Sequence, residues 1–178
     1  MVHLILLVRH ADTEWSASGR FTGRTDVPLS DVGRARAQEL GARLKQRLFT
    51  GVWSSPSQRA VETARLSAGE PRIDERLSEL DFGSLEGLTW DECSPDLQEE
   101  LLAFDSFAAP EGETVPALRA RVESFLAELP PGDHVVFTHG GVIRMLLRRG
   151  GLDRRVAPGE VVELPGEGPS SDGSSERS

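Results

Sequence analysis

Apolar residues along the chain form short continuous runs that alternate with segments of helical periodicity. Three runs predict buried strands: Leu4–Val8, Gly51–Ser54 and His134–Phe137. A continuous apolar run of this length is typical of a strand in a parallel sheet that is covered on both faces. Arg72–Leu77 and Val161–Leu164 predict two further short strands, the second at an edge of the sheet.

Helical periodicity predicts the elements between these strands. Ser30 is a residue type favoured at helix N-caps, and the apolar positions after it keep helical spacing as far as Leu48. A second helix is expected to begin near Ser57. A strong apolar stripe covers Val115–Leu129, and a last helix covers Val142–Leu146. Strands that alternate with helices predict an α/β fold with a mostly parallel sheet.

The chain length of 178 residues favours a single domain. We place this domain at residues 1–164, with an acidic, lid-like segment at about 74–113, within which residues 88–107 are partly helical. Residues 165–178 are dominated by Gly, Ser and Pro and hold no large apolar residue. Such a composition predicts a disordered tail.

Charge is distributed unevenly along the chain. The formal net charge is −9, yet residues 74–113 hold thirteen acidic residues and one basic residue, so the rest is slightly basic. This balance argues against nucleic acid or an anionic membrane as the main partner.

The longest apolar run, Leu4–Val8, is too short for a membrane helix, and no signal peptide fits the N-terminus. Cys93 is the only cysteine, which excludes disulfide frameworks and Cys-rich zinc sites. We therefore expect a cytoplasmic protein.

Polar residues with phosphate chemistry follow three of the predicted strands. Arg9 and His10 end the first strand, and His139 follows the strand near residue 137. Ser55 follows the strand at Gly51–Ser54, and Arg59 lies one helical turn further on. Ligands of open α/β sheets bind beyond the carboxyl ends of the strands, where helix N-termini also favour anions. Two histidines and two arginines at one rim predict a phosphate site.

Paired histidines also suggest a metal site, but the sequence has neither HExxH nor a short-spaced histidine pair. We therefore expect no metal and no cofactor. Either histidine taken singly is as consistent with a hydrogen-bonded structural role. Together with Arg9 and Arg59 at equivalent strand ends, a binding or catalytic role is favoured, because neutral imidazole is a competent nucleophile toward phosphorus.

Five motifs in order resemble the histidine phosphatase superfamily, also called phosphoglycerate mutase-like proteins. Residues 8–15 (VRHADTEW) resemble its RHGETxWN signature, and residues 23–33 (GRTDVPLSDVG) resemble its GxxDxPLTxxG loop. Residues 54–64 (SSPSQRAVETA) follow SSPLxRAxxTA, residues 79–87 (ELDFGSLEG) resemble ExxFGxxEG, and residues 138–144 (THGGVIR) match the last motif. The resemblance covers nearly the whole chain and implies a three-layer α/β/α sandwich.

The resemblance also implies a role for each matching residue. His10 is then the nucleophile that becomes phosphohistidine, while Arg9, Arg59 and His139 hold the transferred phosphoryl group. Glu79 is then the general acid, and we expect the surrounding carboxylates to raise its pKa. The residues expected to line the phosphate pocket and bind substrate are Ser16, Thr22, Gly23 and Gly140.

Three residues depart from the family pattern. Ala11 stands where the family has Gly, Ser16 where it has Asn, and Leu85 where an aromatic residue is common. Ala11 is harmless only if the backbone there has an ordinary conformation.

The function predicted from the sequence is hydrolysis of a small phosphorylated metabolite. The short interval between the acidic and final motifs resembles α-ribazole phosphatase of cobalamin synthesis and small broad-specificity phosphatases, which makes α-ribazole 5′-phosphate one candidate substrate. Trp90, Phe104 and Phe107 are available for apolar contact with such a ligand, although core packing is the favoured explanation for each of them taken alone. The alternatives are a phosphoglycerate mutase-type phosphotransferase and a non-catalytic binder of phosphorylated ligands. The sequence does not determine the oligomeric state.

Overall fold

The computed structural model describes residues 4–164. Its strands are β1 (Ile5–Arg9), β2 (Gly51–Ser54), β3 (Arg72–Ile73), β4 (His134–Thr138) and β5 (Val161–Leu164). Its α-helices are α1 (Glu14–Ala17), α2 (Asp31–Leu44), α3 (Gln58–Ser67), α4 (Pro95–Ala103), α5 (Val115–Ala127) and α6 (Gly140–Arg149). Short 3₁₀ turns cover Glu75–Leu77, Gly83–Leu85 and Trp90–Glu92.

The five strands form one mostly parallel sheet in the order β3-β2-β4-β1-β5. Strand β4 pairs in parallel with β1 on one side and β2 on the other, and only β5 runs antiparallel to its neighbour. The carboxyl ends of β1, β2 and β4 therefore meet at one edge of the sheet. The predicted α/β class and the edge position of β5 are confirmed.

Both faces of the sheet are buried, which explains the continuous apolar runs. In β1, Leu6 and Val8 pack with Leu40 and Leu44 of α2 on one face. Leu7 points to the other face and packs with residues of α5 and α6. Because successive side chains of a strand point to opposite faces, one helical layer covers each face. The predicted three-layer sandwich is confirmed.

Three local predictions differ from the structure. Leu48 is 97% exposed, because α2 ends at Leu44 and the chain turns away before the next apolar position. The strand predicted for Arg72–Leu77 pairs only as far as Ile73, since the Asp74 side chain accepts the Arg76 N–H and starts a 3₁₀ turn. Helix α1 was not predicted; it is four residues long and its cap is the reciprocal pair Thr13 and Ser16.

Residues 74–113 pack onto the helical layer formed by α5 and α6. The buried apolar residues of this segment belong to the same core as Leu7, and they include Leu77, Leu80, Leu85, Phe104 and Phe107. That the segment acts as a lid stays a prediction. Residues 165–178, predicted to be a disordered tail, lie outside the described residues. Among residues 4–164, no helix has the length and apolar character needed to span a membrane.

Candidate active site

The two strand-end histidines lie next to each other at the carboxyl edge of the sheet. In the β1–β4 ladder Arg9 is opposite Thr138, and the His10 N–H donates to the Thr138 carbonyl at 2.9 Å. His10 and His139 each follow directly after these paired positions. Their ring centroids are 5.3 Å apart with the planes inclined at 60°. Parallel pairing thus brings together two residues that are far apart in sequence.

His10 is a neutral imidazole with one ring nitrogen free for a ligand. Its Nδ1 lies 2.8 Å from the carbonyl oxygen of Ala11, so Nδ1–H donates and Nε2 carries the lone pair. The residue is buried but lines the cavity described below. Burial, followed by the charges of Arg59 and Arg9, lowers the pKa of His10 to about 3. The nitrogen is therefore unprotonated at neutral pH.

Two buried arginines flank His10. The Arg59 guanidinium donates to the carbonyls of Thr25 and Gly23 at 3.0 and 2.9 Å, and Arg9 donates to the Val156 carbonyl at 2.6 Å. The Nε atom of each arginine is buried and has no partner within residues 4–164. Burial lowers the pKa of both guanidinium groups, but arginine remains a cation in proteins. Each arginine keeps one donor for an anion.

His139 is fully buried and has a third unpartnered polar atom. Its Nε2 lies 2.7 Å from Ser55 Oγ, and the Ser57 N–H donates to the same Oγ at 3.3 Å. The serine hydroxyl is therefore free to donate its proton to Nε2, which assigns the proton of the ring to Nδ1. Nδ1 has no partner among the described residues. Burial lowers the pKa of His139 well below its usual value, so this ring is neutral too.

Glu79 completes the cluster from the segment after β3. The Leu80 N–H donates to its Oε1 and the Gly141 N–H donates to its Oε2, both at 2.9 Å. Burial raises the pKa of Glu79, although these bonds and the charges of Arg59 and Arg9 oppose the shift. The predicted direction agrees with the structure. The predicted main cause, neighbouring carboxylates, is wrong, because burial is the largest cause and no carboxylate is among the main groups that shift this pKa.

A cavity of about 310 Å³ opens in front of this cluster. His10, Arg9 and Glu79 line it, whereas Arg59 and His139 lie fully buried and are not among its lining residues. Of the residues expected to bind substrate, three line the cavity: Ser16, Thr22 and Gly140. Such a volume lies at the small end of the range for small-molecule sites.

Gly23, the fourth residue expected to bind substrate, does not line the cavity. Its carbonyl accepts from Arg59, and a Cβ at this position would lie 2.4 Å from the Leu80 carbonyl oxygen. Gly23 therefore allows the loop to pack closely against the segment that carries Glu79.

The three departures from the family pattern have simple local settings. Ala11 is fully buried and has a negative φ, so its methyl group is accommodated by ordinary backbone. The Ser16 hydroxyl donates to the Thr13 carbonyl and accepts the Thr13 N–H, which commits it to the cap of α1. Leu85 is a core residue, and it does not line the cavity.

The aromatic residues considered from the sequence divide between cavity and core. Trp90 and Phe104 line the cavity, together with Phe21 and Phe82. Phe107 is in the core and does not line the cavity.

Sequence reasoning missed Gly141 and Arg121, two residues that hold Glu79. A Cβ on Gly141 would lie 2.5 Å from Glu79 Oε1. The Arg121 guanidinium donates to the carbonyls of Ser78 and Glu79 at 2.7 and 3.0 Å, and it is paired with Glu113. The only feature of the sequence that could have indicated Arg121 is its position beside the apolar stripe of α5, directly before Val122.

Residues 4–164 contain no group of three or more His, Cys, Asp and Glu side chains arranged to hold a metal ion. The positive charge at the site comes from Arg9 and Arg59.

Comparison with known proteins agrees with the geometry. The family model "Histidine phosphatase superfamily (branch 1)" matches residues 5–154. The chain is 36% identical to phosphoglycerate mutase-like protein 4 of Arabidopsis thaliana, over 82% of this chain and 70% of that protein. It is 33% identical to an acid phosphatase of Mycobacterium tuberculosis, over 83% and 75%. The crystal structure of a phosphoglycerate mutase from Thermus thermophilus superposes with a TM-score of 0.84 at 41% identity, over 90% of this chain and 91% of that one.

A neutral histidine, two buried arginines and a buried carboxyl at one sheet edge thus occur on a fold shared with phosphate-ester enzymes. The chain belongs to the histidine phosphatase superfamily, branch 1.

Proposed function

We propose that this protein is a phosphomonoester hydrolase that works through a phosphohistidine intermediate at His10. The observation that carries the proposal is the set of three buried donors around that ring: Arg9 Nε, Arg59 Nε and His139 Nδ1. Buried donors without partners are rare because each costs free energy. A phosphoryl group bound at His10 Nε2 offers oxygens to all three.

In the first step, the lone pair of His10 Nε2 attacks phosphorus and the bond to the ester oxygen breaks. Arg9, Arg59 and His139 stabilise the negative charge on the equatorial oxygens. Stabilisation of this charge is the main requirement of phosphoryl transfer. The leaving alkoxide takes the proton of Glu79. The raised pKa of Glu79 supports this role, because a general acid must hold its proton near neutral pH.

In the second step, the Glu79 carboxylate takes a proton from a water molecule whose oxygen attacks phosphorus. The P–N bond breaks and its electron pair returns to His10 Nε2, which releases inorganic phosphate. The Leu80 and Gly141 N–H groups hold the carboxylate in place throughout. Glu79 therefore serves as acid and then as base from one position.

A non-catalytic binder is the weaker alternative. Binding a phosphate needs the arginines, but it needs neither a free imidazole nitrogen nor a carboxyl held beside it. A phosphoglycerate mutase-type phosphotransferase uses the same first step, and two of the similar proteins carry that name or a related one. Exchange between phosphoglycerate isomers without net release of phosphate would identify that activity.

For the substrate, we propose a small phosphorylated metabolite, with α-ribazole 5′-phosphate as one candidate. The aromatic rings of Trp90 and Phe104 on the cavity wall support an apolar or ring-containing alcohol part. We also propose that the protein acts in the cytoplasm, without a metal ion and without nucleic acid or membrane as partner. The two arginines supply the positive charge for which a metal would otherwise be needed.

The test is a phosphate-release assay combined with trapping of the intermediate. His10→Ala is expected to abolish turnover of 4-nitrophenyl phosphate, and acid-labile, base-stable phosphate should map to His10 in the wild type. Near wild-type turnover by the His10→Ala variant would refute the mechanism. Treatment with EDTA is expected to change the rate by less than about twofold; loss of activity that a divalent metal restores would contradict the metal-free mechanism. A panel of sugar phosphates, nucleotides and α-ribazole phosphate would then define the substrate.

A further inference from the structure

The loop formed by residues 23–26 holds the buried guanidinium of Arg59. The two terminal nitrogens of Arg59 donate to the carbonyls of Gly23 and Thr25, at 2.9 and 3.0 Å. Arg59 is fully buried, whereas Thr25 is exposed to solvent. At the far end of the loop, Asp26 accepts the Gln58 N–H at 2.9 Å, which fixes this end to α3. The orientation of a buried cation therefore depends on a loop at the surface.

Glu86 holds the near end of the 23–26 loop. Its Oε1 accepts the Arg24 N–H at 2.6 Å, and its Oε2 accepts both the Thr25 N–H, at 2.8 Å, and the Thr25 hydroxyl. Burial would raise the pKa of Glu86, but the bonds with Thr25 and Arg24 outweigh burial and leave this pKa below its usual value. Glu86 is therefore a carboxylate at neutral pH. A Cβ at Gly23 would lie 2.5 Å from Oε1, so the absence of a side chain there permits the approach.

One peptide group joins Glu86 to Arg59. The carbonyl of Gly23 and the N–H of Arg24 belong to the same peptide unit. The guanidinium binds the carbonyl end of this unit, and the carboxylate binds its N–H end. Both charges polarise the peptide in the same direction, so each hydrogen bond strengthens the other. Without the carboxylate, the peptide loses the bond that fixes its plane, and its carbonyl is free to turn away from Arg59.

We propose that Glu86 is a positioning residue, which orients Arg59 for phosphoryl binding through the first peptide group of the 23–26 loop. The inference rests on the proposed function, in which Arg59 binds the transferred group, and it adds a residue that does not line the cavity. Because carbonyls hold both terminal nitrogens of Arg59, the plane of the guanidinium is fixed, and with it the direction of the unpartnered Nε–H. Rotation of the guanidinium would turn this donor away from the phosphoryl group.

The negative charge of Glu86 separates positioning from simple electrostatics. Burial lowers the pKa of Arg59 most, and Glu86 is among the carboxylates that oppose this shift, so its charge reaches the site. By Coulomb interaction alone, removal of a negative charge near an anion site strengthens phosphate binding. Loss of a positioning contact weakens phosphate binding. The two effects of neutralising Glu86 therefore have opposite signs.

The experiment measures the binding of inorganic phosphate to the wild type and to Glu86→Gln by calorimetry. The new amide keeps one acceptor oxygen but turns a donor toward one of the two loop N–H groups. We expect the dissociation constant for phosphate to rise about tenfold, as the loss of one hydrogen bond to a charged group would give. The rotation of the terminal nitrogens of Arg59, followed by ¹⁵N exchange NMR, should become about tenfold faster.

The matched control is Glu92→Gln. The Glu92 carboxylate accepts the Thr89 N–H and the Thr89 hydroxyl, at 2.8 and 2.9 Å, but it does so in the capping box of a different turn. Loss of this carboxylate removes the same charge and the same kinds of hydrogen bond. The dissociation constant for phosphate should stay within about twofold of the wild type.

Unchanged or tighter phosphate binding by Glu86→Gln, or an unchanged rotation rate of Arg59, would overturn the inference. A merely structural role would lower the urea midpoint of this variant and leave both measurements unchanged. If the variant does not fold, Thr25→Val, which removes only the hydroxyl bond to Glu86, should raise the dissociation constant about threefold, and unchanged binding would then overturn the inference. Failure of the wild type to bind phosphate or to hydrolyse any ester would refute the proposed function, whereas the rotation rate of Arg59 would still decide the role of Glu86.

Discussion

The position of Glu79 can be tested without changing Glu79 itself, by the substitution Gly141→Ala. The new Cβ would lie 2.5 Å from Glu79 Oε1 and 3.1 Å from its Cδ, about 0.9 Å inside the ordinary contact limit of 3.4 Å for oxygen. The Gly141 N–H also donates to Oε2 at 2.9 Å. The carboxyl group or the first turn of α6 must move, and in either case this hydrogen bond lengthens.

The expected loss depends on the leaving group. General acid catalysis raises the rate of a step by roughly 10²- to 10⁴-fold, and displacement of the carboxyl group removes part of this rate enhancement. Glu79 is also the base of the second step, which is the same for every ester, so the comparison uses kcat/KM, which reports the first step alone. We expect kcat/KM for glycerol 3-phosphate to fall by about 10²-fold. For 4-nitrophenyl phosphate, whose phenolate leaves without a proton, the fall should be less than about tenfold. Replacement of Gly by Ala in a helix favours folding by up to about 1 kcal/mol, so the melting temperature should not fall much.

Gly150→Ala is the matched control, since it adds the same methyl group at the other end of α6. Its Cβ would lie 3.4 Å from the Leu147 carbonyl oxygen, and Gly150 does not line the cavity. Both esters should be hydrolysed at near wild-type rates. If Gly141→Ala lowers kcat/KM equally for the two esters, Glu79 is not the proton donor. If it slows neither, the carboxyl is not held as the structure shows it.

Three further predictions concern the groups around this carboxyl. Ser55→Ala leaves the buried Nε2 of His139 without a partner, so kcat/KM should fall about tenfold for every ester. The ¹⁵N chemical shifts of His139 should also report a changed tautomer. Unchanged shifts would contradict the assignment of the ring proton to Nδ1. The folded-state pKa of His10, about 3, is below its unfolded value of 6.5, so its contribution to stability is present above pH 6.5 and is lost as the pH falls. Between pH 6.5 and 5, the free energy of unfolding should therefore fall by on the order of 2 kcal/mol less in His10→Asn than in the wild type, as measured by urea unfolding. Equal falls in both proteins would refute this. Arg121→Met should lower the free energy of unfolding by about 2–3 kcal/mol, because the carbonyls before and at Glu79 lose a charged donor; an unchanged urea midpoint would show that these bonds contribute nothing.

The sheet edge was predictable because each buried strand is short and ends abruptly in polar residues. Strands β1, β2 and β4 were recognised from apolar runs, and the residues that follow them define the rim. The exposed Leu48 was not predictable in the same way. Apolar spacing continues past Leu44, and only the contacts of the folded chain determine where α2 leaves the core.

The cause of the raised pKa of Glu79 could not be read from local composition. Many acidic residues surround it in sequence, but in the structure several of them pair with arginines from elsewhere in the chain. Asp105 pairs with Arg148, and Glu113 pairs with Arg121. Local counts of charge cannot show such distant partners. Burial of Glu79 beneath the first turn of α6 is likewise a tertiary property.

The register of β1 against β4 links ligand binding to the completion of folding. His10 and His139 are separated by most of the chain, and they become neighbours only when Arg9 is opposite Thr138. A shift of one residue would turn the side chains of β1 to the other face of the sheet. A ligand that contacts both histidines therefore binds the native state and none of its partly paired precursors. By mass action, the native population then rises with the concentration of that ligand, and so does the temperature at which the chain unfolds.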